Sequence, residues 1–207
     1  VHVQEGYVPG SADNDKMFTK AWAEFKMHFT MNKKNNGFDV RLFAGYFLKT
    51  TNSGDFRFRM GGISGYQDYT YDYLFLDRMS GNVADVASAQ YIDGDGGFKT
   101  RMYYGQTNNY LLAMNIKSPM ILKVLGFYAD FGTYEKSAPK DQSFLYDFGI
   151  NLNILKDVIN VYIPLAYSKD IQKTINTNNW NFGQRIRFTF RMEKMHPKQV
   201  IHSIVPL

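Results

Sequence analysis

Residue types able to do acid–base, metal or nucleophilic chemistry are few in this chain and poorly grouped. The four histidines are His2, His28, His196 and His202. Only the last two lie close together, around Pro197 in a tail with no obvious third ligand, so a metal pair there stays incomplete. His28 shares strand parity with Lys26 and Glu24 and would need a serine and an aspartate at neighbouring strand ends to work as a catalytic base; none stands there. It reads as a polar residue of a lumen. Asp93-Gly-Asp-Gly-Gly97 opens like a calcium loop, yet the twelfth position, where a bidentate glutamate belongs, is Tyr104. A tight turn is the better reading. Gly61-Gly-Ile-Ser-Gly65 is rich in glycine, but no helix opening with Lys-Ser or Lys-Thr follows, so it is no phosphate loop. With no cysteine, disulfides, thiolate metal sites and thiol redox chemistry are excluded. No catalytic, metal or cofactor-binding residue is assigned.

Basic residues offer a second kind of chemistry. Lysine and arginine number 24 against 19 acidic residues, a formal charge of +5. Arg57, Arg59, Arg185, Arg187 and Arg191 alternate with Phe56, Phe58, Phe188 and Phe190. Nucleic-acid binding would need the rings and the guanidiniums on one face, and alternation in a strand puts them on opposite faces. No nucleic-acid partner is expected, and the arginines read as the wall of a basic lumen.

The elements that would position these residues are strands. Almost everything from Met17 to Met192 alternates with period two, and 16% aromatic residues with only 21% charged argue against disorder. Ten strands are expected at 17–31, 38–50, 56–64, 86–92, 98–105, 110–117, 122–131, 143–154, 159–168 and 180–192, forming one domain. Residues 1–16 form an N-terminal extension and residues 193–207 a periplasmic tail. The first residues, Val1-His-Val-Gln-Glu-Gly-Tyr7, carry neither an initiator Met nor a signal pattern, as expected of a trimmed product. The connections Gly65–Asp85, Gly132–Gln142 and Lys169–Asn179 are long and share one end with the turn Asn32–Gly37; Thr51–Asp55, Asp93–Gly97, Ser118–Ile121 and Leu155–Val158 are short and fall at the other.

In eight of these ten strands one parity is free of charge, and the fifteen charged residues of those strands, twelve basic and three acidic, share the other. A soluble barrel or sandwich puts the apolar parity inside; an outer-membrane barrel turns it toward lipid. Strands of about 12 to 15 residues span roughly 40 to 50 Å, long for a soluble domain of this size and usual for a tilted strand crossing a bilayer. Aromatic residues near strand ends and loops of unequal length at the two ends agree with the membrane form. Phe25, Met27, Leu42, Ala44, Leu112, Ile163 and Phe188 would then face lipid.

Several segments also resemble a known family. Arg41-Leu-Phe-Ala-Gly-Tyr-Phe47, Gly62-Ile-Ser-Gly-Tyr-Gln-Asp-Tyr-Thr-Tyr-Asp-Tyr-Leu-Phe-Leu-Asp-Arg78, Gly96-Gly-Phe-Lys99, Tyr128-Ala-Asp-Phe-Gly-Thr-Tyr134, Val161-Tyr-Ile-Pro-Leu-Ala-Tyr-Ser168 and Arg185-Ile-Arg-Phe-Thr-Phe-Arg191 resemble the C-terminal, strand-rich region of Bacteroidota proteins with an M1-type zinc metallopeptidase domain. The resemblance runs over most of Arg41 to Pro197 and implies an outer-membrane, barrel-like location. Its catalytic residues have no counterpart here, because the chain contains no His-Glu-x-x-His.

The expectation is therefore an all-β chain: an antiparallel up-and-down transmembrane β-barrel of about ten strands, or the C-terminal part of one. It would be non-catalytic, lie in the outer membrane, and anchor or scaffold a periplasmic or surface partner. Its partners would be outer-membrane lipid and other protein chains, or a missing N-terminal portion. The alternative is a soluble all-β barrel binding an apolar ligand. Twelve like charges cannot share a dry lumen unpaired. Two answers stand open: water screens a wide pore and Tyr66–Arg78 is a mobile surface loop, or that segment dips inward, with Asp68, Asp72 and Asp77 meeting some of Arg57, Arg59, Arg185, Arg187 and Arg191.

Overall fold

Period-two alternation over long stretches builds one antiparallel sheet of eight strands in the computed structural model. The structure describes residues 1–7, 17–31, 36–49, 56–68, 71–79, 82, 84–122, 124–135, 143–154 and 158–191. In chain order the elements are β1 (His2–Tyr7), β2 (Met17–Thr30), β3 (Gly37–Lys49), β4 (Phe58–Arg59), β5 (Gln106–Thr107), β6 (Tyr110–Lys117), β7 (Leu125–Tyr134), β8 (Ser143–Ile154), β9 (Ile159–Tyr167), α1 (Lys169–Thr177), α2 (Phe182–Arg185) and β10 (Arg187–Phe190). The large sheet has the order β1-β2-β3-β6-β7-β8-β9-β10, and β4 pairs only with β5. Each strand of the large sheet lies beside its sheet neighbour in antiparallel register. The all-β class and the up-and-down order hold, while β1 and β10, the two edges, are not paired with each other.

Ten strands are present among the described residues, but they are not the ten expected. Residues 1–16 are not simply an extension, since His2–Tyr7 pairs with the start of β2. The expected strands 56–64, 86–92 and 98–105 are not wall strands. Between β3 and β6 the chain runs through β4, the 3-10 turns Gly65–Gln67 and Val86–Ala89, and β5, with only isolated bridges such as Gly61 to Phe98 and Ile63 to Ile92. The physical reason is packing: Phe58, Met60, Phe98 and Tyr91 are buried against the sheet, and one-sided burial of a short irregular segment copies the alternation of a strand. The expected strand 180–192 shrinks to Arg187–Phe190 behind α2. The connection Lys169–Asn179 is mostly helix: Ser168 stands at the N-cap position, and Ile171 and Ile175, four residues apart, are both buried.

Removing three strands between β3 and β6 changes which turns share an end. In the antiparallel order the chain passes from β2 to β3, from β6 to β7 and from β8 to β9 at one end, and from β1 to β2, from β3 to β6, from β7 to β8 and from β9 to β10 at the other. The turn after β2, expected among the long connections, is therefore with the short ones. Asp93–Gly97 is no connection of the wall, and Gly65–Asp85 is part of a longer insertion that folds against the sheet. Thr51–Asp55 and the tail 193–207 lie outside the described residues.

The insertion, residues 56–107, is held on one face of the sheet from β2 to β10. Lys20 donates to the Phe56 carbonyl, Arg41 to the Asp95 carbonyl, Asn115 to the Gly96 carbonyl, and the Tyr91 amide to the Phe188 carbonyl. The sheet curls around it: residues from β2, β3, β6, β8, β9 and β10 border a single cavity. Nearer the end with the long connections, Phe18, Phe43, Phe47, Leu111 and Leu145 of the strands enclose Phe58, Met60 and Phe98 of the insertion, with Ile171, Ile175 and Trp180 closing the cluster. Gly45 makes room for it, because a Cβ there would stand 2.7 Å from the Phe58 ring.

Candidate functional site

Period two turns every second strand residue to the concave face, and on that face the charges converge. Lys99 of the insertion reaches across to β7, where its Nζ lies 2.9 Å from Asp130 Oδ1 and its backbone amide donates to Asp130 Oδ2. The amide of Thr100 donates to Asp147 Oδ2 on β8 at 2.7 Å, and Tyr128 Oη donates to the other oxygen of that carboxylate. Asn115 links Asp130, which accepts from its Nδ2, to Arg41, which donates to its Oδ1 at 2.8 Å. Arg41 also pairs with Glu24 on β2. Asp130 and Asp147 are essentially inaccessible to solvent. In a low-dielectric interior such charges are tolerable only when paired and hydrogen-bonded, and each carboxylate here has several donors.

The turn Asp93–Gly97 sits at the centre of this network. Asp93 Oδ2 lies 3.3 Å from both Lys117 Nζ and Arg191 Nη2. Burial alone would raise the Asp93 carboxyl, but Lys117, Lys99 and Arg191 together overcome it and hold the group well below the usual carboxylate range. Asp95 points elsewhere: its Oδ2 accepts from the Arg59 amide at 2.9 Å, and burial leaves its carboxyl raised despite Lys20 and Arg59. The two carboxylates thus serve as partners of cations and amides, and no group of three or more His, Asp or Glu side chains among the described residues is arranged to hold a metal ion. Gly97 adopts φ +64° with Arg41 and Asn115 against it; a Cβ would stand 2.7 Å from Arg41 Nη1. Positive φ and that close approach both call for glycine.

The expected basic residues separate. Arg187, in β10, is 2% exposed; it donates to Ser64 Oγ at 3.0 Å and lies over the Tyr91 ring at 4.5 Å. Arg191 meets Asp93. Arg57 and Arg59 belong to the insertion rather than to the wall. Arg185 ends α2 and donates to the Trp180 carbonyl and to Tyr167 Oη. Within the segment Tyr66–Arg78, Tyr73 and Leu74 border the cavity, and Asp68 is buried with Arg78 of the same segment, 2.8 Å away, and also accepts from the amides of Asp72 and Tyr73. Asp72 lines the cavity beside Lys26 and Asp93, and Asp77 is half-buried next to Gly65. Of the five expected arginines, Arg191 has Asp93 as a partner, and sequence reasoning treated Asp93 only as part of a turn. Asp130 was missed as well, because its strand did not divide cleanly by parity; a lone aspartate between Ala129 and Phe131 was its one signal.

The insertion borders several spaces, of which two lie toward opposite ends of the sheet. The larger, about 890 Å³, opens among Lys26, His28, Asn36, Lys117, Asn153 and Asn160 at the end with the short turns. The smaller, about 370 Å³, lies among Ser64, Tyr66, Arg101, Tyr103 and Arg187 toward the other end. The convex face is the opposite in character: Phe25 is 57% exposed and Leu112 46%, with Phe29, Leu42, Phe127, Phe144, Phe148 and Leu165 also exposed. Comparisons with models of protein families, with curated proteins and with solved structures find nothing that matches this chain.

Proposed function

We propose that the chain is an outer-membrane β-barrel, or part of one, that anchors or scaffolds a periplasmic or surface partner and does no chemistry itself. One observation carries the reading: Lys20, Arg41, Asp130, Asp147 and Arg187 are buried on the concave side of the sheet, while its convex side exposes apolar side chains. A monomer in water rarely leaves a contiguous apolar patch beyond a few hundred Å², and here the exposed apolar side chains run from β2 across β3, β6, β7 and β8 to β9. Lipid is the solvent in which that face costs nothing. The division of connections into short ones at one end and long ones at the other supports the same reading, with the short turns in the periplasm and the long connections outward. We prefer it to a soluble barrel holding an apolar ligand, because the larger inner space is bordered mainly by lysine, arginine, asparagine and aspartate.

A role as anchor, rather than open channel, is supported by the insertion, which fills the concave side with its own aromatic and charged residues. On the resemblance described above, the partner we propose is a periplasmic or surface module of the zinc metallopeptidase type. Separating membranes of cells that express the chain tests the proposal. It should follow outer-membrane markers and be extracted only by detergent, and protease added to intact cells should cut within the long connections. Recovery in the soluble fraction, without detergent and folded, would overturn it.

A further inference from the structure

Most buried cations in this molecule have found a carboxylate: Arg41 has Glu24, Arg78 has Asp68, Lys99 has Asp130, and Lys117 and Arg191 share Asp93. Among the described residues Arg187 and Arg101 stand apart from that pattern. Arg187 donates to the Ser64 hydroxyl and lies over the Tyr91 ring, and its Nε is enclosed with no hydrogen-bond acceptor among the described residues. Arg101 donates to the carbonyl of Ser88 at 2.8 Å and to its hydroxyl at 3.3 Å. Both line the 370 Å³ cavity, Arg59 borders it too, and its described lining contains no aspartate or glutamate. Burying a guanidinium with no carboxylate in hydrogen-bonding contact is costly, and a second guanidinium lining the same cavity adds to that cost. Neutral carbonyls, hydroxyls and rings offset only part of that cost.

We propose that this cavity binds a tetrahedral oxyanion, phosphate or a small phosphate monoester, between Arg101 and Arg187. Two guanidiniums match the double charge of such a group, and their planar forks match its oxygens. The Ser64 hydroxyl, which accepts from Arg187, keeps its own proton to donate to the anion. The cavity is larger than the ion alone needs, which leaves room for the body of a small ester beside Tyr66 and Tyr103. Because the site is built by the insertion and β10, it stands whether or not the convex face meets lipid. A chain that binds phosphate but does not fractionate with membranes would separate the two proposals.

Titrating the purified full chain with inorganic phosphate, with ionic strength held constant by chloride, tests this by calorimetry. Trp180 supplies an optical signal, since it packs edge-on against Tyr103 of the cavity at 5.1 Å. Phosphate should bind saturably at one site. Arg187→Gln and Arg101→Gln should each weaken it about tenfold or more, while Lys173→Gln on the exposed side of α1 leaves it unchanged. If Arg187→Gln does not fold, Arg101→Gln decides alone. No saturable binding, equal affinity in Arg101→Gln, or acetate binding as tightly as phosphate would overturn the proposal.

Discussion

At the scale of single residues, the concave face is organised by which carboxylate meets which cation, and Asp93 and Asp95 show opposite signs. The Asp93 carboxyl is held low by Lys117, Lys99 and Arg191 against the pull of burial. Its contribution to stability is therefore present above the unfolded pKa of about 4 and is lost as pH falls through its lower folded value. Asp95 is raised by burial, so its contribution is present below that unfolded value and is lost as pH rises toward the folded one. Asp93→Asn strands two cations and should cost about 3 to 5 kcal/mol at neutral pH. Asp95→Asn keeps an acceptor for the Arg59 amide and should cost little, and it should fare better above pH 5 than at pH 4 relative to the wild type. Urea unfolding at pH 4, 5.5 and 7 reads both; equal losses, or a loss for Asp95→Asn that grows with pH, would refute the assignment of signs. None of this was legible in the sequence. Asp93 and Asp95 were visible there as a turn, and parity says which residues share a face without saying which of them touch.

At the scale of elements, what was legible depended on length. Strands β2, β3, β6, β8 and β9 run for eight residues or more and fall within a few residues of their expected bounds, because a long alternation against one buried face has no competing explanation. Phe56-Arg-Phe-Arg-Met60 alternates just as well, yet only Phe58–Arg59 pairs as a strand, since the apolar residues there are buried by the sheet rather than within it. The helix α1 had signals that went unread: a serine at the N-cap position and Ile171 and Ile175 at helical spacing. The insertion is fastened at Phe58, whose ring packs edge-on against Phe43 and Phe47 at 5.8 and 5.1 Å. Phe58→Ala should cost about 3 to 5 kcal/mol. Hydrogen exchange should then speed at the amides of Met60, Gly96 and Phe98, which bond within the insertion, before it speeds in β7 and β8. Uniform acceleration across the sheet would mean that the insertion is no separate unit.

At the scale of the whole molecule, the question is what the convex face meets. An eight-stranded sheet that keeps Lys99, Asp130, Asp147 and Arg187 inside and Phe25, Leu42, Leu112 and Phe144 outside inverts the arrangement of a water-soluble domain. That inversion was foreshadowed by fifteen charges on one parity, although the sequence alone left open which parity would be buried. Spin labels placed one at a time at Leu42, Leu112 and Ile163, and at Asn115 and Asn151 for contrast, measure it directly in reconstituted bilayers. Labels at the first three should be relaxed by oxygen and shielded from a water-soluble nickel chelate, while labels at the asparagines should show no contact with lipid. Labels at Leu42, Leu112 and Ile163 that respond to the chelate as freely as a surface site in water would contradict it.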